Sequence, residues 1–287
     1  MATLYEEVRA ALAEAEFFPR KRLGQNFLIH ETVIESILRL LSLGPRDRVV
    51  EIGPGLGFLT RRLVERAARV WAVEIDDRLV EWLRRNGLAG DPKLSLIHGD
   101  ILTVPLSRML PDGKLKLVGN LPYSIATPVL FRIFAWHAHF SSLVLMVQKE
   151  VAERIASRPG TKNYGTLAVW CQLHGRVTGR LPVSPEAFFP RPKVRSTVLK
   201  IDLFAEPLVS QNKLPALRGL VRAAFGQRRK TLSNALISWL GQERNAVDRV
   251  LLLCDIDPTR RGETLKIDEF IRLAQAVTES DLWTTDP

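Results

Sequence analysis

The chain is poor in cysteine. Cys171 and Cys254 are the only two among 287 residues, far apart and with no C-x-x-C pair. Neither a disulfide framework nor a zinc site is suggested, and a reducing, cytoplasmic compartment fits. His137 and His139 form an H-x-H pair, but alternate residues on a helix point to different faces and no other ligands cluster there. No metal is expected. Long apolar runs are missing too. Stretches such as Leu143-Val144-Leu145-Met146-Val147 are far too short to cross a bilayer, so no membrane partner is expected. Thr3–Glu16 reads as an acidic amphipathic helix rather than a signal peptide. Internal repeats and low-complexity tracts are also lacking.

Acidic side chains are in deficit. Against 41 Lys and Arg stand 31 Asp and Glu, a formal net charge of +10. Such an excess favours a polyanionic partner, although a solvated basic surface is the plainer alternative. Residues 151–205 carry most of it, with 9 basic against 3 acidic side chains. The hydrophobic share of 46% and charged share of 25% are those of an ordinary globular protein. The length allows one large domain and a smaller one.

What is present centres on Val49-Val50-Glu51-Ile52-Gly53-Pro54-Gly55-Leu56-Gly57-Phe58. It reads as a strand, a tight turn and a helix start, the nucleotide-binding corner of an α/β sheet. A dinucleotide fingerprint needs Gly-x-Gly-x-x-Gly, and Phe58 stands where its third glycine belongs. The pattern is instead Glu-x-Gly-x-Gly-x-Gly, the form seen in S-adenosylmethionine (AdoMet) methyltransferases. A purely structural glycine turn is the alternative.

Apolar strands ending near Ile52, Ile75, His98, Gly119 and Val147 alternate with helices at about 31–43, 57–66, 77–86 and 127–137. That alternation predicts a parallel, doubly wound sheet, with ligands at its carboxyl ends. Glu51, Glu74, Asp100 and Asn120 all fall at such ends. Residues 158–165 read as a mobile, turn-rich loop between helices at 150–157 and 166–174. Strands follow at 176–181 and 194–203. Beyond Phe204 only helices remain, at 214–225, 230–240, 243–253 and 267–278. The expected division is an α/β domain over 1–205 and a small all-α domain over 206–287.

Glu74 lies 21 residues after Gly53, where a carboxylate accepts hydrogen bonds from ribose hydroxyls unless it merely faces solvent. Asp100, followed by Ile101, suits a bond to an adenine amino group, or else a helix N-cap. Asn120-Leu121-Pro122-Tyr123 is the sharpest feature. It resembles the [Asn/Asp/Ser]-Pro-Pro-[Tyr/Phe/Trp] motif of methyltransferases acting on exocyclic amino groups. An adenine N6 lone pair is delocalised into its ring. Acceptors for its two hydrogens draw the nitrogen toward tetrahedral geometry, proline stiffens the turn, and Tyr123 offers a stacking face. A strand-end turn with a core tyrosine is the bland alternative.

Phe188-Phe189-Pro190-Arg191-Pro192-Lys193-Val194 joins rings and cations in a way that suits base stacking and phosphate contact, or a core-packed loop. Phe225-Gly226-Gln227-Arg228-Arg229-Lys230-Thr231-Leu232 is a basic helix junction, and Arg218, Arg222 and Arg229 share a face at helical spacing. RNA-phosphate contact competes there with a solvated charge cluster.

With Lys21-Arg22-Leu23-Gly24-Gln25-Asn26-Phe27-Leu28 added, these motifs cover nearly the whole chain. It resembles the rRNA adenine N6,N6-dimethyltransferase family, and within it the bacterial small-subunit (16S) branch. The resemblance implies a Rossmann-like class I AdoMet-dependent methyltransferase sheet with a small all-α C-terminal domain. It implies dimethylation of two adjacent adenosines in the 3′-terminal hairpin loop of small-subunit rRNA during ribosome biogenesis, a modification whose loss is associated with kasugamycin resistance. AdoMet contacts carry over to Gln25, Asn26, Leu28, Gly53, Gly55, Glu74, Ile75, Asp100, Ile101 and Asn120. The catalytic set is Asn120, Leu121, Pro122, Tyr123 and Phe188. RNA contacts are expected from Arg22, Arg191, Lys193, Arg222, Arg228, Arg229 and Lys230. The expected partner is small-subunit rRNA within an assembling 30S subunit, bound by a monomer, with no DNA partner. Arg195 departs from the acidic residue usual after Lys-Val. A large-subunit (23S) rRNA adenine N6-methylase of the macrolide-resistance type and a non-catalytic nucleic-acid-binding relative remain as alternatives.

Overall fold

A computed structural model describes residues 3–15, 17–20, 23–109, 113–122 and 125–280. In chain order its elements are α1 (Leu4–Glu14), β1 (Phe27–Leu28), α2 (Glu31–Leu41), β2 (Arg48–Ile52), α3 (Phe58–Arg66), β3 (Arg69–Glu74), α4 (Asp77–Arg85), β4 (Leu94–His98), β5 (Leu115–Asn120) and α5 (Ala126–Ala135). There follow β6 (Phe140–Gln148), α6 (Lys149–Ile155), α7 (Thr166–His174), β7 (Gly175–Val183), β8 (Phe188–Phe189), β9 (Ser196–Leu203), α8 (Leu214–Gly226), α9 (Leu232–Leu240), α10 (Arg244–Leu253) and α11 (Ile267–Glu279).

The chain divides into two compact units, Met1–Ala152 with Arg176–Ala205, and Glu153–Gly175 with Glu206–Pro287. Residues 153–175, expected in the α/β domain, thus pack with the C-terminal helices. Sequence pattern reads the order of elements along the chain, and only packing reveals that two distant segments share a core.

The first unit is built on a seven-stranded sheet in the order β4-β3-β2-β5-β6-β9-β7. β4, β3, β2, β5 and β6 are mutually parallel. Their continuous apolar runs follow from burial on both faces; Val49, Val50, Val70, Ala72, Leu117 and Leu143 are fully buried. These are the five strands expected to be parallel; β9, which follows them in the chain, runs antiparallel to β6 from Ser142↔Asp202 to Gln148↔Ser196. Between Val183 and Ser196 the chain has only a short 3-10 turn and β8, without the crossover helix that a parallel return requires.

Strand order reverses at β2, flanked by β3 on one side and β5 on the other, and this switch opens a crevice at the strands' carboxyl ends. A two-stranded ribbon closes over the same region. β1 pairs antiparallel with β8, Phe27 opposite Phe189 and Leu28 opposite Phe188. Two motifs 160 residues apart are thereby joined.

In the second unit Phe225 lies between the rings of Tyr164 (centroids 5.7 Å) and Phe270 (5.9 Å). The 158–165 loop, expected to be mobile, is pinned within this unit. Tyr164 is fully buried and its hydroxyl donates to the Leu265 carbonyl at 2.9 Å. The Gly160 N–H donates to the Glu263 carbonyl at 2.8 Å. Arg228 donates to the carbonyls of Lys162 (3.1 Å) and Tyr164 (3.3 Å) and pairs with Glu263 at 2.7 Å. Turn residues describe the shape of a backbone, not how firmly it is attached.

Candidate active site

After β2 the chain turns through Gly53–Gly57 into α3, with Gly57 as N-cap at φ 87°. A Cβ on Gly57 would come 2.7 Å from Leu88 and 2.8 Å from Leu83. The third glycine therefore serves close packing. The loop is tied to the end of β3 by Glu74, whose carboxylate accepts the N–H groups of Gly55 (3.1 Å), Ile75 (2.9 Å) and Asp76 (2.9 Å). Burial pushes the Glu74 carboxyl up, while those backbone bonds act against the shift.

The crevice bounded by this loop is a pocket. Its lining includes Gln25, Asn26, Leu28, Gly53, Gly55, Glu74, Ile75, Asp100, Ile101, Asn120 and Pro122. Every residue expected to hold the cofactor thus reaches one cavity. Ile75 is half-exposed, an apolar side chain left at the pocket wall. The Asp100 carboxylate caps a turn by accepting the Leu102 N–H at 2.8 Å, and the residue lines the pocket. Leu121 is buried beneath the β5 corner. Tyr123 lies outside the described residues. Phe188, expected as a stacking residue, does not line the pocket; it is buried in the apolar core opposite Leu28.

Two residues without an assigned role belong to this region. Glu51, at the penultimate position of β2, is 2% exposed, lines the pocket, and has a carboxylate oxygen with no hydrogen-bond partner among the described residues. Burial, with the neighbouring Glu74 charge adding to it, pushes its carboxyl up to about 8. Its signal was visible, since it opens the Glu-x-Gly-x-Gly-x-Gly pattern. Asp76 is buried and receives Gln25 Nε2 at 2.8 Å and Arg78 at 3.3 Å. Burial works against its charge, yet these bonds prevail and hold its carboxyl below the ordinary value. No sequence pattern marked this partnership between residues 25 and 76.

The expected RNA-binding cations separate into two kinds. Lys193, Arg222, Arg229 and Lys230 are exposed. Arg191 is exposed but paired with Glu186, and Arg228 is committed to the 158–165 loop. Arg22 lies outside the described residues. Arg195, the family departure, has an exposed side chain while its carbonyl accepts the Lys149 N–H at 2.9 Å.

A family model described as ribosomal RNA adenine dimethylase matches residues 17–274. The chain belongs to the ribosomal RNA adenine dimethylase family. Among its relatives, the ribosomal RNA small subunit methyltransferase A of Geobacter metallireducens is 45% identical over 262 residues, 90% of this chain and 95% of that protein. The protein of the same name from Geobacter sulfurreducens is 46% identical over the same shares. The crystal structure of the 23S rRNA methyltransferase ErmE superposes with a TM-score of 0.66 at 27% identity, covering 88% of this chain and all of that one. A dimethyladenosine transferase from Plasmodium falciparum shares the fold, with a TM-score of 0.77 at 24% identity over 88% of this chain and 98% of the other. The sheet of this dimethylase-family chain is the class I methyltransferase sheet.

Proposed function

We propose that the protein is an AdoMet-dependent N6,N6-dimethyltransferase acting on two adjacent adenosines of the 3′-terminal hairpin loop of small-subunit rRNA. The observation that carries this reading is the shared pocket. The Asn120–Pro122 corner and the Gly53–Gly57 loop lie on neighbouring strands, with Ile52 opposite Gly119, so an amino-group acceptor and an adenosine site face the same cavity. Identity near 45% to small-subunit enzymes, against 27% to the large-subunit enzyme ErmE, favours the small-subunit substrate.

The residues suit AdoMet. The glycine loop gives close approach, Glu74 and Asp100 supply acceptors for ribose and adenine, and Ile75 supplies an apolar face. The Glu51 carboxyl oxygen without a partner among the described residues is left to a polar group of the ligand. When bound, AdoMet supplies an activated methyl on a sulfonium that leaves readily. The protein has then to hold the target nitrogen in line. Asn120 Oδ1 and a main-chain carbonyl of the 120–122 corner accept the two amino hydrogens, and Pro122 stiffens that corner. Positioning and fixed dipoles suffice without a dedicated base. The exposed cations Arg222, Arg229 and Lys230 serve RNA phosphates.

Primer extension on rRNA and on immature small subunits treated with the protein and AdoMet tests the proposal. The expected result is two adjacent stops in the 3′-terminal hairpin loop. Stops only in large-subunit rRNA, or none while AdoMet binds, would overturn it.

A further inference from the structure

The acceptor corner is not free-standing. Asn120 Nδ2 donates to the main-chain carbonyl of Asn26 at 3.0 Å. A carbonyl oxygen only accepts, so this bond decides which end of the Asn120 amide is which and leaves Oδ1 as its acceptor atom. The Asn26 carbonyl is itself held. The Asn26 side chain donates back to the Gly24 carbonyl at 3.0 Å, closing a tight turn. Gly24 has φ +61°, and a Cβ there would stand 3.2 Å from the Pro122 Cβ, so the turn lies directly against the acceptor corner. Gln25 fastens the other side, accepting the Arg20 N–H at 2.7 Å and donating to Asp76 at 2.8 Å, two residues beyond Glu74.

We propose that residues 24–26 are a positioning strap for methyl transfer, in which the Asn26 carbonyl orients the Asn120 carboxamide so that Oδ1 receives the target amino group. This rests on the proposed amino-group chemistry and adds a role to Asn26 that is separate from cofactor contact. It also explains why an amide suits position 120 in this chain. Aspartate would keep an acceptor for the substrate but turn its second oxygen toward the Asn26 carbonyl, where two acceptors repel.

Asn120→Asp and Asn26→Ala, each against wild type, test the strap by single-turnover methyl transfer and by calorimetric AdoMet affinity. Asn120→Asp is isosteric and preserves the fold. It should slow transfer about 100-fold at saturating AdoMet. Asn26→Ala should slow transfer about tenfold at saturating AdoMet, whatever it loses in cofactor affinity. Transfer by Asn120→Asp at the wild-type rate would overturn the strap. A wild-type rate of transfer by Asn26→Ala at saturating AdoMet would also overturn it, because Asn26 would then act through the cofactor alone. A wild-type protein that transfers no methyl would instead remove the underlying function.

Discussion

Residues 53–57 and 158–165 are both short loops rich in glycine and proline, yet the first borders a cavity and the second is filled. Under Gly53–Gly57 the polar groups turn toward one another, with the Gly55 N–H on the Glu74 carboxylate, and a pocket opens beside them. At 158–165 a fully buried Tyr164 plugs the interior and Arg228 gathers the loose carbonyls. Composition alone does not distinguish these outcomes. The side chains that arrive from elsewhere do.

Substitutions in the two regions should therefore separate activity from stability. The largest effect is expected at the pocket. Asn120→Ala should lower methyl transfer about a thousandfold, some 4 kcal/mol, with nearly unchanged RNA affinity and a melting temperature lowered only by loss of the bond to the Asn26 carbonyl. Near-normal turnover would remove Asn120 from its role.

Glu51 comes next. Its folded-state carboxyl sits up at about 8 against an ordinary 4.5, so folding favours the protonated form. The stability this contributes is full below pH 4.5 and is lost as pH rises toward 8. Denaturant titrations of the cofactor-free wild type should show that decline, and Glu51→Gln should flatten it. Parallel pH profiles would show that Glu51 ionises normally in the fold.

In the filled loop, Arg228→Ala should cost roughly 1–2 kcal/mol, because two carbonyls and Glu263 lose their partner. Arg229→Ala, on an exposed side chain, should leave the melting temperature unchanged. Equal behaviour of the two variants would mean that the Arg228 contacts are dispensable.

The smallest effect should be at Gly160. Gly57 and Gly160 both have positive φ, but a Cβ on Gly160 meets nothing within 4 Å. Gly160→Ala then carries only backbone strain, about 1 kcal/mol, whereas Gly57→Ala adds displacement of Leu83 and Leu88 and should cost roughly twice that. Calorimetric melting checks the pair.

Much of the first unit is legible in the chain. The strand Leu94–His98 falls on its expected residues, as does the helix Thr166–His174 in the second unit, and the polar strand ends Glu74, Asp100 and Asn120 all reach the pocket. Apolar periodicity and turn chemistry are local, and a parallel sheet brings consecutive strand ends to one edge automatically. Phe188 was less legible, because a ring beside prolines and cations suits a stacking site or a core equally well. The structural contacts of Arg228 were illegible for a similar reason. Charge is written in the sequence, but its partner Glu263 lies 35 residues away.

The sequence by itself thus determined the alternation of elements, the glycine turn, the acceptor motif and the excess of positive charge. Each depends on residues within a few positions of one another. Tertiary structure alone decided that residues 153–175 join the helical unit, that β9 runs antiparallel, and that Phe27–Leu28 pairs with Phe188–Phe189. It alone laid Gly24–Asn26 against Asn120 and Pro122. Such pairings are chosen by shape and by the need of buried polar groups for partners, and neither is recorded in any single stretch of chain.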